Sequence, residues 1–289
     1  MQKIKVAAVS TRNWIGQQDR TIKNMAEWAR KAASQGAEFI LFPELGVNGY
    51  FHSSHAWDVA EPVPGPSVER LTRVAGELNT ILCFGILEKE ADVVYNTQVV
   101  VNGEGMLGRQ RKIHMPGIEY LYWRGGYEIE PIDIGKARIG ITICYDSLFS
   151  EMARTLFFKG AEIFVMPFAY NTGPRAKFPE EDPTGLTYRV HCYIHGAYGI
   201  VANNAGSRRK TKQEGSKIKF PGWAGVFGPD GKVVAFTREP GNGEAMVVAE
   251  LDPAKIAERR RNPYFVPRCL RPELYVMQSQ KPPSKAPAP

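Results

Sequence analysis

The chain opens on an apolar run, Ile4 to Ser10, and then changes rhythm. From Asp19 to Ser34 the apolar positions Ile22, Met25, Ala26 and Ala29 recur at intervals of three and four, which predicts a helix with one inward stripe. A stop at Gly36 follows, then a second apolar run, Phe39-Ile40-Leu41-Phe42-Pro43. The same order returns later: a helix over Ser150 to Lys159, a stop at Gly160, and the run Ile163-Phe164-Val165-Met166-Pro167. In both places glycine suits the left-handed position just past a helix end. Gln35-Gly36-Ala37-Glu38 and Lys159-Gly160-Ala161-Glu162 therefore predict two similar halves, each a helix feeding a strand. Strands that are apolar at nearly every position must be covered on both faces. Two sheets packed face to face, with helices outside, satisfy that demand.

Between the repeats, Ser67–Asn79 reads as a helix, Ile81–Leu87 and Val94–Val101 as strands, and Asn102-Gly103-Glu104-Gly105 as a turn into a further strand carrying Lys112. After the second repeat, Asn171–Pro183 is a polar, proline-containing loop expected to line a pocket. Thr184–Ala197 reads as a helix and Ile200–Ala202 as a strand. Gly228-Pro229-Asp230-Gly231 is a turn between strands 225–227 and 232–236. Met246–Leu251 is the last strand, and Pro253–Arg260 a helix with proline in its first turn. Residues 1–278 are expected to form one domain, and the proline-rich 279–289 a disordered or partner-wrapping tail.

Composition narrows the picture modestly. The 289 residues, 43% of them hydrophobic, suffice for a sizeable core. No apolar stretch reaches the 18 or so residues of a membrane span, and Met1-Gln2-Lys3-Ile4 enters a strand without a signal-peptide core. Cys83, Cys144, Cys192 and Cys269 show no C-x-x-C spacing. A cytoplasmic protein with reduced thiols, no metal and no membrane partner is the expectation. The net charge of +7 comes with two basic clusters, Arg208-Arg209-Lys210 with Lys212, and Arg259-Arg260-Arg261. Neither lies in a nucleic-acid motif. They read as solvated surface, whose field would draw in anionic substrates, and no nucleic-acid partner is expected.

Three segments carry the chemistry. Arg138-Ile139-Gly140-Ile141-Thr142-Ile143-Cys144-Tyr145-Asp146 is a strand that stops at a thiol and turns toward a helix. That turn displays a nucleophile near backbone N–H groups, a setting expected to lower the thiol pKa. Phe39 to Gly46 is a strand ending at Glu44, and Gly108 to Gly117 carries Lys112 ahead of a Pro-Gly stop. Strand ends are where layered folds build sites.

Phe42-Pro43-Glu44, Arg111-Lys112-Ile113-His114-Met115-Pro116 and Ile143-Cys144-Tyr145-Asp146 together resemble the ordered motifs of the carbon–nitrogen hydrolase (nitrilase) superfamily. Phe149-Ser150-Glu151-Met152-Ala153-Arg154 is similar to a further family pattern, with serine in place of proline, and the similarity extends to about Leu274. The resemblance implies an α/β fold, a four-layer α-β-β-α sandwich with two pseudo-symmetric halves. It implies Cys144 as nucleophile, Glu44 as general base, and Lys112 with the backbone N–H of Tyr145 as holders of an oxyanion. A cofactor is not implied; a homo-oligomer, dimer or larger, is. Glu119, in Glu119-Tyr120-Leu121-Tyr122-Trp123-Arg124-Gly125, falls where the family has a second glutamate, with Glu128 as fallback. Tyr50, Trp123, Phe168 and Asn171, together with Phe149 and Tyr170, are candidates for a substrate wall.

The implied substrates are linear amides, N-carbamoyl compounds or nitriles, and Cys144-Tyr145-Asp146 resembles the amidase and carbamoylase branches. Ser147 and Leu148 stand where carbamoylases place arginines for a substrate carboxylate, leaving Arg175, Lys177 or Arg189 for that task. His114, two residues from Lys112, would share its strand face and permit a Cys–His alternative. His191 and His195 have the i, i+4 spacing of metal ligands but no third ligand motif, which favours core or pocket-wall roles. A true nitrilase and a non-catalytic scaffold are the competing readings.

Overall fold

A computed structural model describes residues 1–170, 182–208, 218–237 and 243–275. The Asn171–Pro183 loop up to residue 181, the basic residues Arg209, Lys210 and Lys212, and the C-terminal tail lie outside the described residues. Two six-stranded sheets form the body. The first contains β1 (Ile4–Ser10), β2 (Phe39–Leu41), β3 (Ile81–Glu90), β4 (Val93–Asn102), β5 (Gly105–Arg111) and β14 (Ala245–Leu251), in the order β14-β1-β2-β3-β4-β5. The second contains β6 (Ile132–Asp133), β7 (Arg138–Ile141), β8 (Ile163–Phe168), β9 (Tyr198–Asn203), β12 (Ala224–Phe227) and β13 (Val233–Phe236), in the order β13-β12-β9-β8-β7-β6. A hairpin of β10 (Ala205–Arg208) and β11 (Ile218–Pro221) stands apart.

The two halves match in the sense of every pairing. From β14 inward the pairs run antiparallel, parallel, parallel, antiparallel, antiparallel. From β6 inward the second sheet runs the same way. β2 thus corresponds to β8, the two strands fed by the repeated helix–glycine unit. Gly36 (φ 82°) and Gly160 (φ 94°) both take the left-handed conformation that ends those helices.

Side-chain alternation along each strand builds the layers. Val6 and Ala8 of β1, with Phe39 and Leu41 of β2, face the other sheet and meet Ile139, Ile141, Ile163, Val165 and Ile200. Ala7, Val9, Ile40 and Phe42 point the opposite way. There they receive α1 (Gln18–Ser34) through Ile22, Met25 and Ala29, and α3 (Pro66–Leu78) through Val68 and Leu71, a short α2 (His55–Val59) lying between these helices in the chain. On the far side, Phe164, Met166 and Phe168 of β8 pack against α4 (Ser150–Phe158) and α5 (Pro183–His195) through Leu156, Tyr188 and Cys192. This is the α-β-β-α sandwich. Each fully buried Ile, Leu, Val or Phe removes enough apolar surface to contribute about 1.5–3 kcal/mol.

Several local expectations need correction. β5 stops at Arg111, so Lys112 and His114 do not share a strand face. The chain leaves the sheet there because Asp146 captures the Ile113 and His114 amides. The β10–β11 hairpin and β6 had too few apolar positions to register as strands. Part of the basic cluster on α6 (Pro253–Arg261) is packed rather than solvated. The Arg259 guanidinium lies 4.0 Å from the Tyr193 ring centroid and the Arg260 guanidinium 5.2 Å from that of Phe157. Their Nε atoms donate to the carbonyls of Tyr193 and Gly196, which fixes α6 to α5.

Candidate active site

Glu44 lies three residues past β2, in a turn where Leu45 adopts a left-handed φ of 48°. The turn presses against Gly85 of β3, where a Cβ would stand 2.2 Å from the Leu45 nitrogen. Glycine is needed at 85 for this approach. Gln98 Nε2 donates to the Phe42 carbonyl (3.1 Å) and Asn204 Nδ2 to that of Glu44 (2.9 Å), holding the turn from both sides. Lys112 follows β5 and still donates its N–H to Asn96 of β4 (2.8 Å). Cys144 begins a 3-10 turn, Cys144–Leu148, and sits at φ 51°, a conformation costly to a residue with a Cβ. The turn aims the side chain away from the path of β7.

Two of the three parts meet side chain to side chain, and Cys144 stands within electrostatic reach of both. Lys112 Nζ, fully buried, donates to Glu44 Oε1 at 2.8 Å and lies 2.9 Å from Glu119 Oε2 and 3.0 Å from Glu119 Oε1. Asn96 Nδ2 donates to the same Glu44 Oε1 at 2.7 Å. Glu44 Oε2 is buried and has no hydrogen-bond partner among the described residues, so one edge of the carboxylate is saturated and the other is open. Tyr50 Oη donates to Glu119 Oε1 at 2.6 Å. Glu119 therefore joins the cluster, carried by a 3-10 turn over Gly117–Leu121. Glu128, the fallback, is exposed, and its backbone carbonyl accepts from Gln110 Nε2.

The electrostatics reverse one expectation. Burial pushes the Cys144 thiol above its ordinary pKa, and the Glu44 carboxylate adds to that; Lys112 and the Ala169 N–H pull back without prevailing. The raised pKa favours the neutral thiol, because burial, reinforced by Glu44, outweighs what Lys112 and the Ala169 N–H give the thiolate. Cys144 nevertheless keeps some solvent contact within its dense surroundings. Burial also works against the Lys112 ammonium, but the carboxylates of Glu44 and Glu119 outweigh it and leave the pKa raised. Burial, opposed by Lys112 and reinforced by Glu44, pushes the Glu119 carboxyl up to about 7.

The remaining candidates fall in different places. Tyr145 is exposed within the sulfur-bearing turn. Tyr50 and Trp123 stack edge-on at 5.8 Å, with Trp123 fully buried behind. Phe168 ends β8 and meets Tyr188 edge-on at 5.7 Å, in the cluster that also touches Cys144. Tyr170 Oη donates to Asp182 at 3.0 Å and its ring lies 6.4 Å from that of Trp223. Asn171, Arg175 and Lys177 lie outside the described residues. Arg189 donates to the Gly231 carbonyl at 2.9 Å and is occupied there. His114 turns its Nδ1 to Asp146 Oδ1 (2.9 Å) and does not serve the sulfur. His191 Nε2 donates to the Ser147 carbonyl (2.8 Å) and His195 Nδ1 to the His191 carbonyl (3.0 Å); both are buried supports of α5.

Sequence reasoning missed Asn96, Asp146, Tyr188 and Asn204. One signal was available: Asn96-Thr97-Gln98 is a polar trio inside an apolar central strand, and burial there demands partners.

Comparison with known proteins follows the same line. A family model described as carbon-nitrogen hydrolase matches residues 5–261. The chain is 29% identical to a nitrilase of Pyrococcus abyssi over 90% of this chain and 94% of that protein. It is 31% identical to an N-carbamoylputrescine amidase of Solanum lycopersicum over 85% of each. A solved carbon-nitrogen hydrolase from Helicobacter pylori G27 superposes with a TM-score of 0.86 at 23% identity, covering 95% of this chain and 97% of that one.

Proposed function

Because the chain belongs to the carbon–nitrogen hydrolase family, we propose that it hydrolyses the C–N bond of a linear amide or N-carbamoyl compound through an acyl-enzyme on Cys144, with release of ammonia. The observation that carries this reading is the divided Glu44 carboxylate. Oε1 is taken by Lys112 and Asn96, while Oε2 is buried and open. An open carboxylate oxygen electrostatically coupled to a neutral thiol is a general base waiting for a proton.

The steps follow from that division. Glu44 Oε2 takes the Cys144 proton as the sulfur attacks the carbonyl carbon, forming the S–C bond and placing the π pair on oxygen. Two carboxylates hold the Lys112 ammonium, and its third proton is available to the oxyanion together with the Tyr145 N–H. One such donor typically lowers the barrier by about 3 kcal/mol. On collapse the C–N bond breaks, and the nitrogen leaves with the proton carried by Glu44. Water then attacks the thioester, gives its proton to Glu44, and the C–S bond breaks as the thiol is restored. Glu119 fixes Lys112 from the side opposite Glu44, with Tyr50 fixing Glu119.

The same reading carries a cytoplasmic homo-oligomer, dimer or larger. Exposed Leu186, Val190 and Tyr193 on one face of α5 support association, and four unpaired cysteines suit a reducing compartment. Among the described residues no helix is long and apolar enough to cross a membrane.

A panel of linear amides, N-carbamoyl compounds and nitriles, read by ammonia release, tests the function. Turnover of an amide or carbamoyl compound, lost in Cys144→Ala, is expected. Conversion of a nitrile to its acid with the matching amide untouched would replace this reading by that of a nitrilase. No turnover together with ordinary Cys144 reactivity would replace it by that of a scaffold.

A further inference from the structure

Lys112 and Cys144 belong to different sheets, and Lys112 stands just past its strand end. Something other than sheet pairing must hold ammonium and sulfur in register. Asp146 is fully buried, and its carboxylate reaches both segments. Oδ1 accepts from the His114 N–H (2.8 Å), the Ile113 N–H (3.2 Å) and His114 Nδ1 (2.9 Å). Oδ2 lies 3.3 Å from the Ile113 nitrogen and accepts from the Ile143 N–H, also at 3.3 Å. Two of these amides immediately follow Lys112 and one immediately precedes Cys144. Outside this knot the His114 ring stacks on Phe149 at 3.6 Å and 9°, and Phe149 closes the cysteine turn.

We infer that Asp146 is a positioning residue: a buried carboxylate that clasps the Lys112 segment to the Cys144 turn and sets the distance between the ammonium and the reacting sulfur. It does so through charge-assisted bonds to backbone N–H groups, which are short-ranged and directional. Asp146 touches neither reacting atom. The inference rests on the reading that Lys112 and Cys144 act on one substrate.

The test uses Asp146→Asn, which keeps the size but turns one acceptor into a donor facing amides. Misplacing a catalytic group by about 1 Å can cost about 100-fold, so kcat on the best amide of the panel is expected to fall by that order, with KM changed less than about 3-fold. Iodoacetamide alkylation of Cys144 at fixed pH is expected to slow roughly 10-fold, because withdrawing the ammonium raises the thiol pKa by about one unit. A merely structural role predicts the opposite sign, since a loosened turn exposes the sulfur and speeds alkylation. Asp252→Ala, which removes the N-cap bond to Ala254 of α6, is the control for lost stability without lost register. Should Asp146→Asn not fold, His114→Ala decides. It removes the ring bond and the Phe149 stack but keeps the backbone amides, and a roughly 3- to 10-fold loss of kcat with slowed alkylation is expected. Wild-type kcat, or unchanged or faster alkylation, in whichever variant folds would overturn the clasp. The alkylation arm needs no substrate, so it stands even if the amide panel defeats the proposed function.

Discussion

Asn96 offers the sharpest test of how the base is prepared. Its Nδ2 donates to Glu44 Oε1 at 2.7 Å with both side chains fully buried, and its own carbonyl receives the Lys112 N–H. A hydrogen bond to a charged group is worth about 1.5–3 kcal/mol. Asn96→Ala removes the side-chain bond and leaves the backbone bond intact. Glu44 is then free to rotate its open oxygen away from the sulfur, and the lost bond converts to a fall in kcat of about 10- to 100-fold at 1.4 kcal/mol per decade. KM should move little, because Asn96 holds the base and not the substrate. Asn96→Asp gives a signed companion. It sets a second carboxylate against Glu44, and two such groups cannot both stay ionised at that distance. When the introduced Asp takes a proton it becomes a donor and reproduces the native bond. The ratio of Asn96→Asp to wild-type kcat should therefore rise as the pH falls. Steady-state ammonia release between pH 5 and 9 reads both variants. Wild-type kcat in Asn96→Ala, or a ratio for Asn96→Asp that is flat with pH, would refute the assignment of Oε2 as the prepared edge.

Three further outcomes are expected. Burial pushes Glu119 up to about 7, and only its ionised form accepts from Tyr50 and Lys112 together, so kcat should rise as the pH climbs through about 7 and Glu119→Gln should lose that limb; a limb that persists in the variant belongs to another group. His195 is 2% exposed and burial lowers its pKa to about 4 from 6.5; the unfolded chain binds its proton first, so stability present above pH 6.5 is lost toward pH 4, by about 3 kcal/mol. Urea unfolding of His195→Phe should show that slope removed, and curves parallel to wild type would contradict it. Peptide mapping after brief iodoacetamide treatment should find Cys144, which keeps some solvent contact, labelled well before the fully buried Cys83; equal labelling would mean the sulfur is not in an open recess.

Much of this architecture is visible in the chain. The repeated helix–glycine–strand unit follows from periodicity and from glycine at a helix end, and the matched pairing order of the two sheets is its consequence. Glu44 and Cys144 are legible because each ends an apolar run, where a polar side chain has reason to stand, and Lys112 because it ends a basic strand ahead of a Pro-Gly stop. The thiol's protonation state is not legible, since it depends on how far Glu44 and the surrounding packing come to it in space. Asn96 and Asp146 escape for the same reason: each acts on residues far along the chain, and the polar trio Asn96-Thr97-Gln98 marks a strand that needs polar partners without naming them. The β10–β11 hairpin escapes because Ala205–Arg208 and Lys219 carry too little apolar pattern to register.

The account stands on a covalent bond between the acyl group of an amide and the sulfur of Cys144. Intact-protein mass spectrometry, with the enzyme quenched in acid during turnover of a slow amide, reads that bond directly. An added mass equal to the acyl group, mapped to the Cys144 peptide and absent from Cys144→Ala, is the predicted result. Ammonia released by Cys144→Ala at the wild-type rate would contradict it.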